Sequence, residues 1–127
     1  MPKLIAIVDD EPEMEYYYSI IFDRAIERKQ VQLKFFQDSR DFFTWFESHE
    51  VDLILSDISM PYISGPELCR SVRLSGRSIP IYFVSGHDER DYREILSEIG
   101  LCRFLSKPIN PIQFHGLVEL DLNLPLA

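Results

Sequence analysis

The chain has 127 residues, 46% hydrophobic and 27% charged, which is the size of one domain and the composition of a folded globular protein rather than a disordered one. With 13 Lys and Arg against 21 Asp and Glu its net charge is −8, which disfavours a broad electrostatic grip on nucleic acid. No apolar run approaches the ~20 residues of a membrane span, and the opening residues lack the basic-then-apolar order of a secretory signal, so a cytoplasmic location is expected.

Lys3 to Val8 reads as a compact apolar strand that runs straight into Asp9, Asp10 and Glu11. Two carboxylates about 5 Å apart repel by roughly 3 kcal/mol at an effective dielectric of ~20, so such a cluster calls for protons, a cation or full solvation. Pro12 fits the first turn of a helix, with Asp10 or Glu11 as cap, that continues to about Lys29 and sets Met14, Tyr17, Ile21 and Ala25 on one face. Tyr16, Tyr17 and Tyr18 succeed one another at about 100° around that helix, so at least one is exposed. Val31 to Phe36 is the second strand. Asp38 or Ser39 then caps a helix in which Phe42, Phe43 and Phe46 share a face, with Trp45 at the edge of the core.

The rhythm continues with a near-continuous apolar run from Val51 to Ser56, a helix from Gly65-Pro66 to about Leu74, and a strand from Ile79 to Ser85. Asp88 to Ile99 reads as a helix stopped by Gly100, Arg103 to Ser106 as a fifth strand, and Asn110-Pro111 as the start of a last helix. Gly116 weakens that helix and Val118 to Ala127 alternate with period two, so a short helical start and then an extended tail or linker are expected. The domain is placed at 1–122 and the tail at 123–127. Strands apolar on both faces and alternating with helices predict an α/β fold: a doubly wound, five-stranded parallel sheet of the flavodoxin-like kind. Cys69 and Cys102 have no C-x-x-C spacing and read as buried thiols, while His49 and His115 read as surface residues.

In such sheets ligands bind at the carboxyl ends of the strands. The first strand delivers Asp9 and Asp10 there, the third Asp57, the fourth Ser85 and the fifth Lys107. A hard dication such as Mg²⁺ takes oxygen ligands and is typically held by one or two carboxylates together with a phosphate. Asp57 then serves both as metal ligand and as a nucleophile that accepts a phosphoryl group, Lys107 as a point charge for phosphate oxygens and Ser85 as a hydroxyl donor.

Four stretches, V-D-D-E-P at 8–12, S-D-I-S-M-P-Y-I-S-G at 56–65, V-S-G at 84–86 and F-L-S-K-P at 104–108, resemble the receiver domains of two-component response regulators, the CheY-like family. The resemblance implies phosphorylation of Asp57 by a sensor histidine kinase or a histidine phosphotransfer protein. It implies Mg²⁺, with Mn²⁺ as a substitute, held by Asp9, Asp10, Asp57 and the backbone carbonyl of Ser59. Ser85 and Lys107 take the switch and phosphate-pairing positions, Phe104 that of the aromatic switch, and the Lys107–Pro108 bond is expected to be cis. Ser59 and His87 stand at positions that resemble those tuning phosphorylation lifetime, with an exposed loop histidine as the plainer reading of His87. Output is expected at the face of the 88–99 helix, the fifth strand and the last helix, toward a downstream protein, with no direct nucleic-acid or membrane binding.

The sequence departs from the family pattern at Gly86, where alanine is common, and at Ser64, where aspartate often precedes the glycine; Gly86 predicts a mobile loop over 86–88. A signalling domain rather than an enzyme is expected, with self-phosphorylation from small donors and autodephosphorylation. The alternatives are a non-phosphorylated scaffold for protein contacts and a phosphohydrolase of the haloacid dehalogenase kind. The latter needs a second acid two residues after its nucleophile, where Ser59 stands.

Overall fold

The computed structural model describes residues 1–86, 90 and 102–127. Five strands, β1 (Lys3–Val8), β2 (Val31–Phe36), β3 (Leu53–Ser56), β4 (Ile81–Ser85) and β5 (Cys102–Ser106), form one sheet in the order β2-β1-β3-β4-β5. Every neighbouring pair is parallel. The reversal of strand order falls between β1 and β3, whose registers pair Val8 with Ser56 and so bring Asp9 and Asp57 to the same edge.

Helices cover both faces, which is why the inner strands are apolar on alternate and intervening positions alike. On one face α1 (Glu13–Ile21), α2 (Asp23–Glu27) and α5 (Pro111–Leu122) bury Met14, Tyr18, Ala25, Phe114 and Val118 against Ile5, Ile7, Leu53 and Leu55. On the other, α3 (Ser39–Phe46) and α4 (Gly65–Leu74) bury Phe42, Phe46, Leu68 and Val72 against Ala6, Val8, Ile54 and Phe83. This is the doubly wound α/β fold expected from the strand pattern. Among the described residues no helix is long and apolar enough to cross a membrane.

Local chemistry sets the helix starts. Asp38 accepts from the Arg40 N–H at the head of α3, Ser64 and Glu67 form a reciprocal capping box on α4, and Asn110 accepts from the N–H groups of Ile112 and Gln113 ahead of α5. The first helix differs from expectation twice. Its cap position is Pro12, with no side-chain cap, because Asp9 takes the Glu11 N–H at 2.9 Å and Glu11 turns toward Lys107. It also breaks at Phe22 (φ −101°, ψ 13°) rather than running unbroken to Lys29. The Phe22 ring is fully buried between α1 and α5, with Phe114 5.5 Å and His115 5.8 Å away by ring centroids. Tyr18 is the tyrosine that faces the core and Tyr16 the exposed one.

The final helix is longer than its sequence suggests. Phe114, Val118 and Leu122 lie four residues apart and form one buried stripe, while Leu120 between them is exposed, so an alternating pattern here contains a helical one. Asn123 (φ 53°) ends α5, and the next residues fold back: Leu124 and Leu126 pack on the core, and the Gln30 side chain donates to the Pro125 carbonyl and accepts from the Ala127 N–H, each at 2.8 Å. The Gln30 carbonyl in turn accepts from Lys3 N–H at 2.9 Å. The tail is therefore packed rather than free.

Smaller corrections follow from position. Cys69 is fully buried but Cys102, on the edge strand β5, is only half-buried. His49 is exposed and stacks on Trp45, whereas His115 is half-buried with Nε2 2.7 Å from the Ile21 carbonyl oxygen. The helix expected over 88–99, apart from residue 90, the stop at Gly100, the tuning position His87 and most of the 86–88 loop lie outside the described residues.

Candidate functional site

The carboxyl edge of β1 and β3 gathers three acids. One carboxylate oxygen from each of Asp9, Asp10 and Asp57 lies within 4.8 Å of the others. Asp9 is 2% exposed and Asp57 8%, so solvation cannot hold the charge and the first two remedies, protons or a cation, remain. Burial raises the Asp9 carboxyl to about 6, against the opposing Glu11 N–H and Lys107 charge, with Asp57 and Glu11 raising it further. Asp57 is raised as well, chiefly by burial, with the Lys107 charge and the backbone N–H groups of Ile58 and Ser59 pulling the other way. A set of hard oxygens held this close, two of them on buried side chains, fits a hard dication.

The Asp57 side chain is fixed from below. Its Oδ1 accepts the Ile58 N–H at 2.7 Å, which leaves Oδ2 turned toward Lys107. The Asp57 carbonyl oxygen accepts from the buried Ser56 hydroxyl at 2.8 Å, and the Gly65 N–H reaches the Ile58 carbonyl at 3.0 Å. A Cβ on Gly65 would stand 2.6 Å from the Asp57 carbonyl oxygen and 2.9 Å from the Phe83 ring, so only glycine lets the head of α4 come this close to the strand end.

Lys107 enters from the turn after β5, where its own N–H bonds the Ser85 carbonyl at 2.8 Å and the Lys107–Pro108 peptide is cis. Its Nζ lies 2.9 Å from Glu11 Oε1, 3.5 Å from Asp9 Oδ2 and 4.0 Å from Asp57 Oδ2. Burial works against the ammonium, but the Glu11 hydrogen bond and the charges of Asp9 and Asp57 outweigh it and raise its pKa. Ser85 is fully buried at the end of β4, and Phe104 on β5 is half-buried against the α3/α4 face of the core. Ser59 is exposed two residues beyond Asp57.

The sheet thus brings Asp9, Asp10, Asp57 and Lys107 together, with Ser85 at the end of the adjoining strand. The residue missed from sequence is Glu11, which looked like a helix cap; its place directly after the acid pair was the available signal.

The model of the response regulator receiver domain matches residues 5–119 of this chain. The response regulator GtcR of Aneurinibacillus migulanus is 31% identical over 124 residues, covering 96% of this chain and 48% of that protein. The cyclic di-GMP phosphodiesterase response regulator RpfG of Xanthomonas campestris pv. campestris is 36% identical over 115 residues, covering 88% of this chain and 30% of that protein. The chain therefore spans half or less of the length of these relatives. Among solved structures, the signal receiver domain of an HD domain-containing protein from Pseudomonas fluorescens Pf-5 superposes with a TM-score of 0.83 at 21% identity, covering 97% of this chain and 96% of that one. With the family match spanning nearly the whole sheet and its acid-lined edge, the chain belongs to the response regulator receiver domain family.

Proposed function

We propose that this chain is the phosphoryl-accepting receiver of a two-component or phosphorelay system, switched by phosphorylation of Asp57. The observation that carries the reading is the triad of close carboxylates with Lys107 Nζ 4.0 Å from Asp57 Oδ2. Asp9, Asp10, Asp57 and the Ser59 carbonyl would hold Mg²⁺, or Mn²⁺ in its place. The bound ion would neutralise charge on the incoming phosphoryl oxygens.

The residues of the chain do the rest. The free oxygen of Asp57 attacks the phosphorus of a phosphohistidine on a sensor histidine kinase or phosphotransfer protein; the P–N bond breaks as the P–O bond forms, leaving an acyl phosphate on Asp57 and a free imidazole, which takes up a proton, on the donor. Lys107 pairs with a phosphoryl oxygen and Ser85 donates its hydroxyl to another. The added charge of roughly −1.5 to −2 draws Ser85 toward it, and Phe104 turns into the space left. The output face comprises β5, α5 and the 88–99 segment. Ser59 and His87 tune the lifetime, residues 1–122 act as the signalling unit, and the cytoplasm is the site of action. Self-phosphorylation from small donors and autodephosphorylation belong to the same reading.

The test is the intact mass after incubation with a small-molecule phosphodonor and Mg²⁺. A single added phosphoryl group, absent in Asp57→Asn and absent without metal, is expected. No adduct in the native chain, together with no binding of the phosphoryl mimic fluoroberyllate at saturating Mg²⁺, would overturn the reading.

A further inference from the structure

Among the described residues Lys107 has three acidic neighbours, and the nearest is not the phosphoacceptor. Its Nζ donates to Glu11 Oε1 at 2.9 Å, while Asp9 Oδ2 stands at 3.5 Å and Asp57 Oδ2 at 4.0 Å. Glu11 is half-exposed at the head of α1 and is free of the sheet edge, so it can follow the ammonium or release it, unlike the buried Asp9. Its backbone is nonetheless fixed, because the Glu11 N–H is bonded to Asp9 Oδ1 at 2.9 Å.

We infer that Glu11 is a positioning residue that parks Lys107 in the unphosphorylated protein and so sets how readily the site takes a phosphoryl group. This rests on the proposed function. An ammonium that pairs with a phosphoryl oxygen on Asp57 must give up or stretch its bond to Glu11, and the energy of that bond is subtracted from phosphoryl binding. Glu11 thereby favours the resting state by holding the ammonium that pairs with the charged product, without touching the phosphoryl group itself. Removing its charge leaves Lys107 to Asp9 and Asp57, which lie on the phosphoryl side.

The experiment is titration with fluoroberyllate at saturating Mg²⁺, so that any change in metal affinity drops out. Glu11→Gln is expected to tighten binding by roughly two- to fivefold, the range of a partly exposed ion pair. Asp41→Asn removes an equal charge from the rim beside Asp10 without contacting Lys107 and is expected to leave binding unchanged. In a Lys107→Ala background, which binds more weakly, Glu11→Gln is expected to add nothing. No gain from Glu11→Gln, an equal gain from Asp41→Asn, or a gain that survives the loss of Lys107 would each overturn the role. A native chain that binds Mg²⁺ but no fluoroberyllate would instead overturn the proposed function, and this role with it.

Discussion

The two ends of the sheet treat charge in opposite ways. At the carboxyl edge, among the described residues, Asp9, Asp57 and Glu11 surround the Lys107 ammonium with Asp10 close by, and Asp9 and Asp57 are buried. Toward the amino ends of β4 and β5, Arg103 grips Asp121 through two hydrogen bonds, at 2.8 and 3.1 Å, and the buried Tyr82 hydroxyl donates to the same carboxylate. One acid meets one base there. The Arg103 hydrogen bond holds Asp121 below the ordinary aspartate range despite some burial, whereas burial pushes Asp9 up to about 6. The Arg103–Asp121 pair is complete in itself and ties α5 to the sheet; the acid cluster is unfinished until something positive arrives. Charge surplus, more than charge, distinguishes a working edge from a structural one.

The sharpest way to break this comparison is to titrate stability in metal-free protein. Asp9 has a folded value of about 6 against 3.8 in the ordinary state, so its contribution is intact below about 3.8 and is lost as pH rises through about 6. The loss is roughly 3 kcal/mol as an upper bound, read by urea unfolding in the presence of a chelator from about pH 4 to about pH 7. Asp9→Asn is expected to flatten this part of the profile and to be the more stable protein at neutral pH. Parallel profiles for the two proteins would remove the idea that the edge is strained by its acids.

Asp121 carries the opposite sign. Its folded value is depressed, so the stability it contributes is present above the ordinary aspartate pKa and is lost as pH falls through the folded one. Asp121→Ala should cost about 1–2 kcal/mol at neutral pH by leaving Arg103 and the Tyr82 hydroxyl without their shared acceptor, less than a fully buried pair because both charges keep some water. Chemical denaturation at neutral pH measures it, and a stabilised Asp121→Ala would place this end of the sheet in the same class as the other. The smallest effect is expected for Tyr82→Phe, about 0.5–1 kcal/mol by the same assay, since Asp121 retains Arg103. A larger loss there than for Asp121→Ala would mean that the hydroxyl, not the ion pair, holds α5.

The same contrast explains what could be read before the fold was seen. Asp9, Asp10, Asp57, Ser85 and Lys107 each follow directly on an apolar strand, so the alternation of elements was enough to send them to one edge. Arg103 and Asp121 are 18 residues apart and Tyr82 and Asp121 39, on elements whose packing no local pattern encodes. Glu11 was hidden by a second plausible role, that of helix cap, which only the approach of Lys107 decides. The break at Phe22 depends on what α5 places against its ring, and the length of α5 was obscured because every second residue of 118–124 is apolar while only every fourth is buried.

The clasp on Gln30 has one further consequence. Lys3 N–H bonds the backbone carbonyl of this residue and Ala127 N–H bonds its side chain, so residues 3 and 127 are moored to the same place. A short peptide between them can close the chain into a ring without disturbing the sheet, and reopening that ring at the exposed turn around Gly76, whose φ of 81° marks a tight reversal, yields a circular permutant with the acid edge intact.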